Sequence, residues 1–246
     1  MKIVIIGGTG QIGSKVVARL SEQGHEAVAA SPRTGVNTLT GEGLREVLVG
    51  ADVVVDVTNA PDWEDQASLD FFTTSTRNQL AAEVELGVKH HVALSVVGSR
   101  EMPGSGYMRA KVAQEDLIVA SGVRYSILHA TQFFEFVPWI ADASKGEDGK
   151  VHVSPAHFQP IAADDVADFV TRVAVGEPVG AVEIAGPDRL GLDEAVRMAV
   201  PDADVVSDPA VGYFGADVDD TTLTAGENAW LGEQRFADWV GVALRG

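Results

Sequence analysis

The chain has 246 residues, is 46% hydrophobic and 22% charged, carries a formal net charge of -18 and contains no cysteine. This length and balance suit one large α/β domain, or a nucleotide domain with a small appended lobe. The acidity argues against nucleic acid or an anionic membrane as partner, and the lack of thiols excludes disulfides, a cysteine nucleophile and thiolate metal sites.

The first element organises the rest. An apolar run, Ile3 to Ile6, empties into Gly7, Gly8, Gly10 and Gly13, and Ile12, Val16, Val17 and Leu20 then fall on one helical face. A buried strand, a tight turn and a helix start in that order present backbone N–H groups and a positive helix end to a diphosphate. Gly7-x-x-Gly10-x-x-Gly13 overlaps Gly8-x-Gly10-x-x-Gly13. The predicted cofactor contacts in this turn are Gly7, Thr9, Gly10, Gln11, Ile12 and Gly13, and a plain strand-to-helix turn is the alternative.

His25 to Ala30 reads as the second strand, followed by the turn Ser31 to Gly35. An acidic residue at that strand end selects a free ribose 2′-hydroxyl, whereas a nearby Arg accommodates a 2′-phosphate. Ser31 and Arg33 stand there, which favours NADP(H). The alternative is a surface arginine, with NAD(H) as cofactor. A short helix over 41–49 precedes a central strand, Ala51 to Val57, ended by Thr58 and Asn59 on the edge where such sheets bind ligands. Asp56 is expected to be a polar residue satisfied at the strand end. Asp65 to Leu86 has the length of a crossover helix. Val88 to Val97 is the next strand, with Ser95 near its carboxyl end; Tyr107 opens a helix running to about Ser121, and Arg124 to His129 is a further strand. Strands alternating with helices predict a Rossmann-like, doubly wound parallel sheet over residues 1–130.

Beyond residue 130 the rhythm loosens. Thr131 to Ala143 is an aromatic-rich helix or helical loop with Phe133, Phe134, Phe136 and Trp139 as a candidate flat pocket, or simply core. Lys150 to Val153 suits a short strand, and Asp164 to Val175 a helix with Asp164 as N-cap. A strand over 181–185 and helices over 192–200 and 233–244 complete residues 131–246, a small C-terminal substrate-side lobe of the same domain.

The chemistry is expected of Ser95, Tyr107 and Lys111. Tyr107 and Lys111 lie four residues apart on one helix face, and a lysine beside a tyrosine lowers the phenol's pKa, making it a proton donor to a carbonyl that receives hydride. Ser95 would hold the substrate oxygen. The six histidines show no metal-ligand spacing, so no metal is expected. Met1-Lys2 leads straight into a strand and no apolar run approaches the roughly 18 to 20 residues of a membrane span, so a cytoplasmic protein is expected. Oligomeric state is left open.

These residues resemble the short-chain dehydrogenase/reductase superfamily, in particular its atypical NmrA-like, NAD(P)H-binding branch. Ile6 to Gly13, Tyr107 to Lys111, Arg124 to Ala130 and Gln159 to Ala167 carry the resemblance. It implies that Lys111 binds the nicotinamide ribose and that Tyr107 acts as acid. Some members of the branch bind cofactor as redox sensors without turnover. At His129 the sequence departs from relatives that commonly carry Arg, and a histidine there either relays a proton or packs. The chain is also similar to actinobacterial reductases that tailor aromatic polyketides, some of which reduce a quinone whose hydroquinone reacts with oxygen. That similarity implies a small-molecule substrate, polycyclic aromatic or quinone, near His129, Gln132, Phe133 and Phe136, and a monooxygenation without flavin or metal.

Overall fold

The computed structural model describes residues 1–244. The elements, in chain order, are β1 (Lys2–Ile6), α1 (Gln11–Glu22), β2 (Glu26–Ala30), α2 (Leu44–Leu48), β3 (Val53–Asp56), α3 (Asp65–Leu86), β4 (His90–Val96), α4 (Gly106–Ala120) and β5 (Tyr125–Ala130). They continue as α5 (Val137–Ala143), β6 (Val151–Val153), β7 (His157–Phe158), α6 (Ala163–Val175), β8 (Gly180–Ala185), β9 (Leu190–Gly191), α7 (Leu192–Ala199), β10 (Val205–Ser207), β11 (Trp230–Leu231) and α8 (Phe236–Ala243).

Seven strands form one sheet in the order β11-β8-β5-β4-β3-β1-β2. The pairs β1–β2, β1–β3, β3–β4 and β8–β11 are parallel, as expected of a doubly wound α/β fold. β1 has β2 on one side and β3 on the other, so the winding direction reverses there and a crevice opens beyond the carboxyl ends of β1 and β3. The strands that flank it are buried on both faces. Ile3, Val4 and Ile5 are fully buried, as are Val54 and Val55, which is why these stretches are continuous apolar runs without alternation. Each such side chain contributes about 1.5–3 kcal/mol by leaving water.

The chain divides into two compact units. The first comprises residues 1–95, 106–129 and 166–182. Its core gathers Val4, Ile6, Ala30, Leu44, Leu48 and Val54 in one cluster, and Leu80, Ala93, Ile118 and Ile127 in another. The second comprises residues 96–105, 130–165 and 183–246. Within it, β6 pairs in parallel with β10, and β7 pairs antiparallel with β9.

One expectation needs correction. The helix expected to start at an Asp164 cap begins at Ala163, placing Asp164 and Asp165 inside its first turn, where acids favour the helix dipole without capping it. Among the described residues, no helix is long and apolar enough to cross a membrane.

Candidate functional site

The glycine turn lies at the crevice between β1 and β3. Gly7 adopts φ +82, a conformation that strains any residue with a Cβ. At Gly13 an added Cβ would lie 2.2 Å from the Gly7 carbonyl oxygen, so the first turn of α1 packs against the loop only without a side chain. No side chain caps α1 at Gly10. The leading N–H groups of the helix therefore face the loop opening without a side-chain partner, and this arrangement fits a diphosphate. Ile12 is buried against the core, while Gln11 is exposed at the helix start. Thr9 and Gly10 form the outer lip of the turn.

The turn after β2 reaches back to this loop. Pro32–Thr34 is a short 3-10 turn, and the exposed Arg33 guanidinium donates to the Thr9 carbonyl at 2.5 Å and to Thr9 Oγ1 at 3.3 Å. Arg33 is thus more than a free surface arginine: it braces the lip of the glycine turn. Ser31 is buried at the start of this turn, where its backbone N–H donates to Thr34 Oγ1 at 2.9 Å.

At the end of β3, Asp56 is satisfied as expected. Its Oδ1 accepts from Thr58 N–H at 2.9 Å and from Thr58 Oγ1 at 2.7 Å, which fixes the turn leaving the strand. Its Oδ2 accepts from Gln79 Nε2 at 2.9 Å and from Gln114 Nε2 at 3.1 Å, bringing α3 and α4 onto the same carboxyl group. Asn59, exposed just beyond, accepts a hydrogen bond from the Tyr107 hydroxyl at 2.9 Å. The Trp63 ring stacks on Tyr107 with centroids 5.2 Å apart, and Phe72 meets it edge-on.

The pairing expected between Tyr107 and Lys111 is not what the helix produces. Burial pushes the phenol above its ordinary range, so its acidity is reduced where a nearby lysine was expected to enhance it. Lys111 turns inward. Its ammonium donates to the Leu94 carbonyl at 2.9 Å and to Gln114 Oε1, and lies 4.4 Å from the centre of the Phe72 ring. Burial lowers its pKa to about 8, against the opposing pull of Asp56 and Glu115. Residues four apart share a helix face but need not touch; here one ring points to Asn59 and the ammonium points to the sheet.

Ser95, near the end of β4, is buried and donates to Glu115 Oε1 at 2.5 Å. His129 Nε2 on β5 lies 3.1 Å from the same oxygen. Sequence reasoning named Ser95 and His129 and missed Glu115, whose signal was its position one helical turn beyond Lys111 on the inward face of α4.

The other expected substrate residues belong to the second unit. Gln132 is buried with neither its amide nitrogen nor its oxygen hydrogen-bonded. Phe133 is partly buried at the bridge to Ile161. Phe136 stacks on Trp139 at 4.6 Å, and Trp139 stacks in turn on Phe214 at 5.0 Å. Phe134 corrects the flat-pocket reading: it is fully buried against Phe236 and Trp239 and is core. This unit also holds a cavity of about 380 Å³ bordered by Ile140, His152, Leu192, Tyr213 and Phe214. Gln132, Phe133 and Phe136 do not line it. Among the described residues, no group of three or more His, Asp or Glu is placed to hold a metal ion.

The chain is 24% identical over 223 residues to the photosystem II assembly factor Ycf39 of Synechocystis sp.; the match covers 80% of this chain and 66% of that protein's length. In fold it is similar to MoeE5, solved in complex with UDP-glucose and NAD, with a TM-score of 0.79, 17% identity, and coverage of 100% of this chain and 98% of that one. It is also similar to the enzyme WbmH of Bordetella bronchiseptica, solved in complex with NAD+, with a TM-score of 0.75, 16% identity, and coverage of 99% and 97%. The likenesses to the solved structures show the fold. Residues 7–176 match the model of the NAD(P)H-binding family, and the chain, with the glycine turn that such binding requires, belongs to that family.

Proposed function

We propose that the chain is an NAD(P)H-dependent oxidoreductase acting on a carbonyl or quinone. The observation that carries this reading is the Tyr107–Asn59 hydrogen bond, which brings a phenol to the carboxyl end of β3, beside the crevice that the glycine turn serves. A bound nicotinamide supplies hydride chemistry, and the protein contributes position and electrostatics. Gly7 to Gly13 hold the diphosphate; Ser31 and Arg33 stand where a 2′-phosphate would be met, favouring NADP(H). Thr58 and Asn59 border the cofactor on the β3 side. Tyr107, anchored by its hydrogen bond to Asn59, borders the space where the substrate would lie and orients it. Lys111 acts from beneath as a fixed positive charge near the cofactor ribose.

The inward turn of Lys111, with two hydrogen bonds already made to protein acceptors, favours a second reading. In it the chain binds NADP(H) as a redox sensor without turnover. The two separate on one set of measurements. Purified protein is titrated with NADPH and NADH, then offered 1,4-naphthoquinone, an aromatic aldehyde and a 4-keto sugar nucleotide. The last probe is chosen because MoeE5 was solved with UDP-glucose. Oxidation of NADPH supports the reductase, and binding without oxidation on any probe supports the sensor. Oxygen uptake during quinone turnover, with a hydroxylated product carrying the oxygen atom, would identify the flavin- and metal-free monooxygenation.

A further inference from the structure

Carbonyl reduction consumes a proton as well as a hydride, and the residues assigned so far are poorly placed to replenish one. The Tyr107 proton is held on Asn59, and Lys111 faces the sheet. Ser95, Glu115 and His129 offer a route. They stand on β4, α4 and β5, three consecutive elements of the first unit. One oxygen, Glu115 Oε1, lies 2.5 Å from Ser95 Oγ and 3.1 Å from His129 Nε2. Ser95 and Glu115 are each 3% exposed, whereas the His129 side chain keeps 20% of its surface open. A buried carboxyl group thus joins a hydroxyl inside the protein to an imidazole that reaches solvent. Lys111, one helical turn earlier on α4, is a further charged group acting on Glu115.

We propose that Glu115 and His129 are positioning residues of a proton relay that feeds Ser95, an inference that rests on the reductase reading above. The Glu115–His129 pair holds one proton between carboxyl and imidazole. As hydride from a reduced nicotinamide forms the new C–H bond, the carbonyl π bond breaks and its electron pair moves to oxygen. The Ser95 hydroxyl turns from Glu115 Oε1 to that oxygen and gives up its proton, and Ser95 takes in exchange the proton of the pair from Glu115 Oε1. The products are the alcohol, the oxidised cofactor, a carboxylate and a neutral imidazole, which balances two electrons and one proton. Run backwards, the same chain removes a proton from an alcohol.

A purely structural cluster would tie β4, α4 and β5 together and carry no proton, and Glu115→Gln separates the two. The amide keeps the volume and an acceptor for Ser95 but cannot take up and release a proton. With NADPH and 4-nitrobenzaldehyde, the variant is expected to lose about 100-fold in kcat, with KM and NADPH affinity unchanged. The loss with 1,4-naphthoquinone should be smaller, since a quinone oxygen needs less acid help. Equal losses on both probes, or a loss confined to KM or to cofactor affinity, would overturn the relay. A second readout does not depend on turnover. In 15N-histidine spectra the His129 Nε2–H should be protected from exchange in the wild type and unprotected in Glu115→Gln. An unprotected wild-type signal, or one unchanged in the variant, overturns the proton-holding pair. If the wild type binds NADPH yet reduces neither probe, the reductase reading fails by itself, and the spectra still decide the pair.

Discussion

The glycine turn and the polar interior beneath it are two ways of building one site. The turn is shaped by its backbone: Gly7 supplies a positive φ and Gly13 a contact distance, within seven consecutive residues. The interior is side chain throughout. Lys111 donates to Gln114, Gln114 and Gln79 donate to Asp56, and Gln79 also donates to Ser75, which in turn donates to Thr38, a path that draws on residues 38 to 111 and beyond. The first tolerates no added atom and the second tolerates no lost partner. Sterics govern one and hydrogen-bond satisfaction the other.

That contrast can be broken by substitution. Asp56→Ala should be the most damaging, because it strands the buried Gln79 and Gln114 amides and the Thr58 hydroxyl. A loss of about 3–5 kcal/mol in chemical denaturation is expected. A loss below about 1 kcal/mol would show that the network relaxes around the gap. Gly13→Ala should barely touch the network yet weaken NADPH binding about 100-fold, or about 2.8 kcal/mol, in a fluorescence titration. Unchanged affinity would remove the turn from the cofactor site.

Titration of Lys111 sharpens the comparison further. Its folded-state pKa is lowered to about 8 from 10.5, so between those values the unfolded chain binds the extra proton and the native chain does not. Stability attributable to this group therefore rises with pH across that window, the cost of the buried ammonium being fully present below it. Wild type compared with Lys111→Met should gain on the order of 1–3 kcal/mol from the low to the high end. A flat difference would place the ammonium in water. The smallest effect is expected at the rim. Arg33→Ala should weaken NADPH about tenfold and NADH less. Equal losses for the two cofactors would reduce Arg33 to its brace on Thr9.

The sequence made the fold legible wherever the cause was local. The apolar runs of β1 and β3 and the glycine spacing could be read directly, and the bounds expected for α3 match the observed Asp65–Leu86. Short pairings escaped, since β7, β9, β10 and β11 have two or three residues each and gain their identity only from a partner strand. The Asp164 cap misled because an acid in the first turn and an acid at the cap look alike in sequence.

At the site the same division holds. Composition and spacing by themselves determined that a strand, a glycine-rich turn and a helix start would present N–H groups to a diphosphate, because that geometry depends on adjacent residues. Only the tertiary structure decided where side chains on one helix point. Tyr107, Lys111 and Glu115 share a face of α4, yet Asn59 takes the phenol, Leu94 and Gln114 take the ammonium, and Ser95 and His129 meet the carboxyl group. Apart from Gln114, which lies on α4 itself, those partners come from β4, β5 and the loop after β3. Packing brings them together, and no spacing along the chain encodes the distances between them.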